Sequence, residues 1–236
     1  MDKAIAELQH ESLIDRVAKI KDKLKEYHVS GKKLFATSSF QPQSLPLLHI
    51  LSGMDFVIPI YFLDTGYLFP ETYLFKDQLI KLLNLTVITL KANSSMLMQI
   101  DQQHRFLFMT NPDRCCAINK VLPLEPVLQS HDVWISGVRA SQSETRKKMS
   151  EEDQGKFGIT RYHPLLQWTS KEIYYYSKSY QLPEHPLHSK GYESIGCIPC
   201  TAKIMDDQAF SRKGRWAGMK KEECGLHTEL LEKKSI

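Results

Sequence analysis

The chain has 236 residues, 42% apolar and 25% charged, with a net charge of +4. That length carries one substantial α/β domain with room for a C-terminal extension, and the small positive charge suits an anionic small molecule while being too sparse for a nucleic-acid face. No apolar run nears the roughly 20 residues of a membrane helix, and "MDKAIAELQHESLIDRVAKIKDKLKEY" is charged throughout, without the apolar stretch of a secretory signal. A cytoplasmic protein is expected, in a compartment that keeps thiols reduced.

In chain order, Leu13, Val17, Ile20, Leu24 and Tyr27 recur at spacings of four and three, which predicts an amphipathic helix ending near "HVSGKK". "KLFATSSF" followed by "QSLPLLHIL" reads as strand, loop, helix. "FVIPIYFLDTGYLFPETYLFKDQLIKLL" repeats the pattern, with a turn at Asp64-Thr65-Gly66 and a helix opened by Pro70. "TVITLK" is a third strand and "DVWISGV" a fourth. The alternation predicts an α/β fold, a parallel sheet flanked by helices, with ligands at the carboxyl ends of the strands near the topological switch point. From about Thr169 a helix leads into the loop-rich "QLPEHPLHSKGYESIGCIPCTAK".

Three polar loops follow predicted strands. Thr37, Ser38 and Ser39 stand where a strand gives way to a helix, a place where amides and hydroxyls gather an anion. Asp64 and Thr65 follow the next strand and are expected to face the same crevice. "GVRASQSETR" brings Arg139, Ser141, Ser143 and Arg146 after the fourth. Together they point to one shared anionic ligand.

The five cysteines are unevenly spread. Cys115 and Cys116 are adjacent; Cys197 and Cys200 form a C-x-x-C pair that zinc, a redox dithiol or an iron–sulfur cluster could each use. Neighbouring thiols resist the approach angles of a single tetrahedral ion. A [4Fe–4S] cube offers each a different iron. Cys224, in "KKEECGLHTEL", stands apart from these four, with cationic neighbours that favour a thiolate and Glu222 and Glu223 opposing them. Arg212, Arg215 and Trp216 in "SRKGRWAG" are able to clamp and cover an anion.

The stretches "SSFQPQS", "LDTGYLFPETY", "CCAINKVLPL", "GVRASQSETR", "PLHSKGYESIGCIPCT", "RKGRW" and "ECGLHT", in this order, resemble the assimilatory adenylyl-sulfate (APS) reductases, the [4Fe–4S]-bearing type of the sulfonucleotide reductase family. The resemblance covers nearly all of the chain beyond the N-terminal helix. It implies an adenine-nucleotide α-hydrolase-like (PP-loop-like) fold, divided as an N-terminal helix (1–28), a nucleotide-binding domain with the iron–sulfur site (29–205) and a catalytic tail (206–236). It implies an oxidoreductase of sulfate assimilation and cysteine biosynthesis that converts APS to sulfite and AMP through an S-sulfocysteine on Cys224, resolved by thioredoxin or glutaredoxin. Cys115, Cys116, Cys197 and Cys200 match the cluster ligands. Lys120 matches a lysine lying near both cluster and substrate, Arg139, Arg212 and Arg215 match basic residues that meet the phosphosulfate, and Ser38 and Ser39 lie in the loop the nucleotide phosphate approaches. The chain departs from the family at Ala140 and Asn119, where arginine is usual, and at Ala117, where glycine is; the lost charge bears on how the phosphosulfate is held.

Three other readings compete. A 3′-phosphoadenylyl sulfate (PAPS) reductase or dual-substrate enzyme shares the motifs, but relatives committed to PAPS generally lack the four cluster cysteines. An ATP pyrophosphatase would carry an SGGxDS loop, where this chain has "TSSFQPQS". A non-enzymatic iron–sulfur sensor leaves Cys224 and the three loops without a role. No nucleic-acid or membrane partner is expected, and a homo-oligomer is compatible with the sequence.

Overall fold

The computed structural model describes residues 2–203, 214–216, 221, 223–228 and 230. Its centre is a six-stranded sheet of β1 (Leu34–Thr37), β2 (Ile60–Asp64), β3 (Val87–Lys91), β4 (Val133–Ser136), β5 (Glu152–Gln154) and β6 (Thr160–Tyr162), in the order β3-β2-β1-β4-β6-β5. All pairings are parallel except β5 with β6. The chain steps outward from β1 to β3, then returns to place β4 on the other side of β1. The switch point therefore lies between the carboxyl ends of β1 and β4.

Side chains alternate between two cores, as the period of a strand requires. Leu34, Ala36, Ile60, Phe62, Val133 and Ile135 face one side, packed by α1 (Asp2–Val29), α2 (Leu45–Ser52), α3 (Pro70–Leu83) and α8 (Ser170–Ser179). Phe35, Trp134 and the half-buried Tyr61 and Leu63 face the other, under α6 (Leu122–Ser130) and Leu230. Trp134 is fully buried and lies parallel to Phe35 with ring centroids 6.3 Å apart; burying one such side chain stabilises the fold by roughly 1.5–3 kcal/mol. The helix ends follow local chemistry. Pro70 opens α3 and Asn84 closes it in the left-handed region at φ 49, while Thr169 and Glu172 form a reciprocal capping box at the start of α8.

The four predicted strands are present, and two more follow them. β5 and β6 are three residues each, and β6 has a charged Arg161 at its centre. Neither has the apolar run that marks a strand in sequence. Between β3 and α6 lie the short α4 (Leu107–Thr110) and α5 (Pro112–Cys116), and α7 (Glu144–Lys147) follows β4.

Candidate active site

The loops after β1 and β4 face each other across the switch point and wall a cleft. Thr37 ties the two strand ends together by accepting from Trp134 Nε1 at 2.8 Å. Ser38 Oγ then accepts the Phe40 amide at 3.0 Å, turning the chain. Phe40 adopts φ 54, a conformation that costs a bulky residue energy and persists here because its ring is fully buried against Phe62. Ser38, Ser39, Gln41 and Gln43 line one wall, Gln142 and Arg146 the other.

The cysteines come together on the far side of the cleft floor. Asn111 caps α5 by accepting the Arg114 amide at 3.0 Å, and Pro112 begins it. The helix passes into a π-turn at Ala117–Val121, a form that concentrates at functional sites. Successive helical side chains diverge by about 100°, yet Cys115 and Cys116 both border one small cavity, which Cys197 and Cys200 complete from the facing loop. All four thiols are buried. Burial, with Cys197 nearby, pushes the Cys115 thiol up to about 11. Asn119 donates to Cys115 Sγ at 3.6 Å and pairs with Gln99, so a neutral amide occupies the position of the usual arginine. The Tyr67 hydroxyl, on the cavity wall, is buried with no partner among the described residues. Among the described residues no three His, Cys, Asp or Glu side chains are spaced to hold a single metal ion.

Cys224 lies where cleft and cavity meet, for Lys120, Cys197, Arg215 and Trp216 border both spaces. Lys120 Nζ donates to Cys224 Sγ at 3.7 Å. A hydrogen bond from Cys116 is the largest influence holding the Cys224 thiol well below its ordinary range; burial opposes it, and Lys120 and the Leu226 amide add to it. Cys116 is correspondingly pushed up by that same contact and by burial. For Lys120, burial works against the charge, but the surrounding sulfurs, Cys224 first, then Cys197 and Cys116, outweigh it and hold the ammonium above the usual lysine range. Arg215 is seated by donating to the carbonyls of Cys200 at 3.2 Å and Ile195 at 3.3 Å, and lies over the Trp216 ring. Gly196 leaves it room: a Cβ there would fall 2.2 Å from Arg215 Nη1.

Residues 33–203 match the family model described as "Phosphoadenosine phosphosulfate reductase domain". The chain belongs to this family. Among curated members, it is 38% identical over 202 residues to the adenosine 5′-phosphosulfate reductase of Salinibacter ruber, covering 85% of this chain and 80% of the relative. It is 40% identical over 207 residues to the phosphoadenosine 5′-phosphosulfate reductase of Gloeobacter violaceus, covering 84% and 83%. Of solved structures, the phosphoadenylyl-sulfate reductase of Candida auris aligns at a TM-score of 0.64 with 20% identity over 78% of this chain and 89% of that one. The FMN adenylyltransferase of Candida glabrata aligns at 0.60 with 12% identity over 97% and 76%. Both likenesses speak to the fold alone, the parallel sheet flanked by helices expected from sequence.

In this member of the reductase domain family, Ser38, Ser39, Lys120, Arg215 and Cys224 line the cleft. Two expected site residues do not. Asp64 points into its own loop, accepting from the Gly66 amide at 2.9 Å and the Tyr73 hydroxyl at 2.5 Å and pairing with Lys91 at 3.4 Å. Arg139 turns into the core, donating to Gln43, Ser141, Ser170 and the Trp168 carbonyl. Burial first, then Arg146, draws its guanidinium down to about 10. Arg146, seven residues on, faces the cleft instead, bound to Glu223. Arg212 lies outside the described residues. Sequence reasoning passed over Gln43 and Gln142, uncharged residues in loops scanned for charge. His227 also lines the cleft, with Arg161 Nη2 at 3.3 Å from its Nδ1.

Proposed function

We propose that the chain reduces adenosine 5′-phosphosulfate to sulfite and AMP in sulfate assimilation, with Cys224 as nucleophile. The contact between Cys224 Sγ and Lys120 Nζ, at the meeting of a switch-point cleft and a four-cysteine cavity, carries this reading. The Cys224 thiolate attacks the sulfate sulfur in line with the bridging oxygen. The S–O bond breaks, AMP departs with that oxygen, and Cys224 is left as an S-sulfocysteine. Lys120 and Arg215 meet the charge of the phosphosulfate, while Ser38, Ser39, Gln41 and Gln43 offer hydrogen bonds to the nucleotide. A dithiol protein of the thioredoxin or glutaredoxin type then attacks Cys224 Sγ and expels sulfite, and its second thiol releases Cys224 as thiolate; the dithiol supplies both electrons. The dependence on reduced thiols suits the cytoplasm.

Cys115, Cys116, Cys197 and Cys200 suit a [4Fe–4S] cluster. Four buried thiols from two segments border one cavity, and the buried Tyr67 hydroxyl on its wall lacks a partner among the described residues. When bound, the cluster would tie α5 to the Cys197–Cys200 loop and add its charge beside Lys120.

The 3′-phosphorylated nucleotide is the second reading, and the name of the Gloeobacter violaceus relative keeps it open. The charge count favours APS. Among the described residues, the lysines and arginines lining the cleft are Lys120, Arg146 and Arg215, and Arg146 is already matched by Glu223. Among the described residues, Lys120 and Arg215 remain for the phosphosulfate, and no further lysine or arginine lining the cleft is left for another phosphate. Sulfite release from anaerobically purified protein, with thioredoxin and a reductant, tests both points. Turnover of APS alone is expected; equal rates on the two nucleotides would overturn the preference. Cys224→Ser should abolish sulfite formation while the protein keeps its iron and brown colour.

A further inference from the structure

We propose that Glu223 and Lys221 are positioning residues, docking the C-terminal segment through two ion pairs of opposite polarity and so setting where Cys224 stands. This rests on the reading of Cys224 as the nucleophile. Glu223, one residue before Cys224, accepts from Arg146 Nε at 2.8 Å and Nη2 at 3.0 Å, a two-pronged pairing that fixes orientation as well as distance. Its carboxylate also accepts from the Ser143 hydroxyl at 2.9 Å and from the amide of Cys224 itself at 2.9 Å. One side chain thus joins the β4 loop to the backbone of the reacting residue. On the other side, buried Lys221 pairs with Asp113 on α5, the helix that carries Cys115 and Cys116.

The two pins stand just before Cys224 and are anchored on different elements, α7 and α5. A segment slipped in register would bring Lys221 toward Arg146 and Glu223 toward Asp113, like charge against like, so the pairing selects one register. Arg146 has a second part in this arrangement. It lines the cleft, and in the docked state Glu223 takes its Nε and Nη2 donors while Gln142 accepts from Nη1. Docking therefore removes one positive charge from the cleft as it delivers the thiol.

The test measures Cys224 alkylation by iodoacetamide in the anaerobically purified protein without substrate, resolved by site with mass spectrometry, alongside steady-state kinetics on APS. Breaking a buried ion pair from one side is strongly destabilising to the contact. Glu223→Gln should therefore speed alkylation by about tenfold or more and lower kcat. KM should stay the same or fall, because Arg146 is released to the substrate; Glu223→Asp should recover part of kcat. Asp113→Asn should act in the same direction more weakly, and since the Asp113 side chain is 72% exposed, it tests docking even if the Glu223 variant does not fold. Wild-type alkylation rates in both variants, or a raised KM with unchanged kcat, would overturn the proposal. Alkylation is read without substrate, so a protein inactive on APS would count against the proposed reaction and leave the docking result to stand.

Discussion

Arg215 depends on a residue that has no side chain. Its guanidinium occupies the space a Cβ at Gly196 would take, and it is held there by the Cys200 and Ile195 carbonyls. Gly196→Ala pushes the mobile end of a long side chain out of its seat and leaves the backbone fold alone. The expected result is a KM for APS raised by roughly tenfold or more, the value of one charge-assisted hydrogen bond, with iron content and melting temperature close to wild type. An unchanged KM would mean that Arg215 does not meet the substrate. Arg139 and Arg146 show where residue-level reading stops. Both stand in one basic, serine-rich loop, and charge alone marks them equally. Gln43 and the Trp168 carbonyl draw Arg139 inward, while Glu223 holds Arg146 at the cleft. Those partners are dozens of residues away in sequence.

At the scale of elements, the adjacent cysteines were the most legible feature, because two thiols side by side fit few chemistries. Their partnership with Cys197 and Cys200 depends on α5, the π-turn after it and the facing loop all bordering one cavity. Cys197 also bonds the Thr65 hydroxyl at 3.2 Å and pairs by backbone with Leu68, which joins the cavity to the loop after β2. Cys197→Ala should lose iron and, with it, much of the soluble yield; full iron retention in that variant would refute the four-ligand assignment. Strands β5 and β6 were hidden for the opposite reason. Their residues are polar or charged, and Arg161 is buried by tertiary contacts, lying over the Trp134 ring with Gly155 leaving space for its stem.

Across the whole molecule, cationic groups collect behind the cleft. Arg139, Arg146 and Arg161 are all buried, and His163 lies among them with its Nδ1 2.8 Å from the Ser136 hydroxyl. Burial first, then Arg161 and Arg146, pushes His163 down to about 3, and burial likewise lowers His185 to about 4. An unfolded histidine takes up a proton near pH 6.5, whereas these stay neutral in the fold to far lower pH. Their contribution is therefore fully present above about pH 6.5 and is lost as the pH falls toward 3 to 4, by at most about 1.4 kcal/mol per pH unit for each group. The urea midpoint should drop between pH 7 and pH 5, and His163→Gln should flatten that dependence; an equally steep profile in the variant would exclude His163 as a source.

From sequence alone came the alternation of strand and helix, the polar loops at strand ends, the four-plus-one division of the cysteines and the family. These are local or spacing properties, carried by periodicity, turn residues and motifs that need no distant partner. Tertiary structure decided the rest. It turned Asp64 and Arg139 away from the cleft, brought Arg146, Gln43 and His227 to it, and set Cys224 beside Lys120 across 104 positions of chain. A side chain's direction follows the partners that satisfy its charge and hydrogen bonds, and in this molecule those partners come from other strands, other loops and the far end of the sequence.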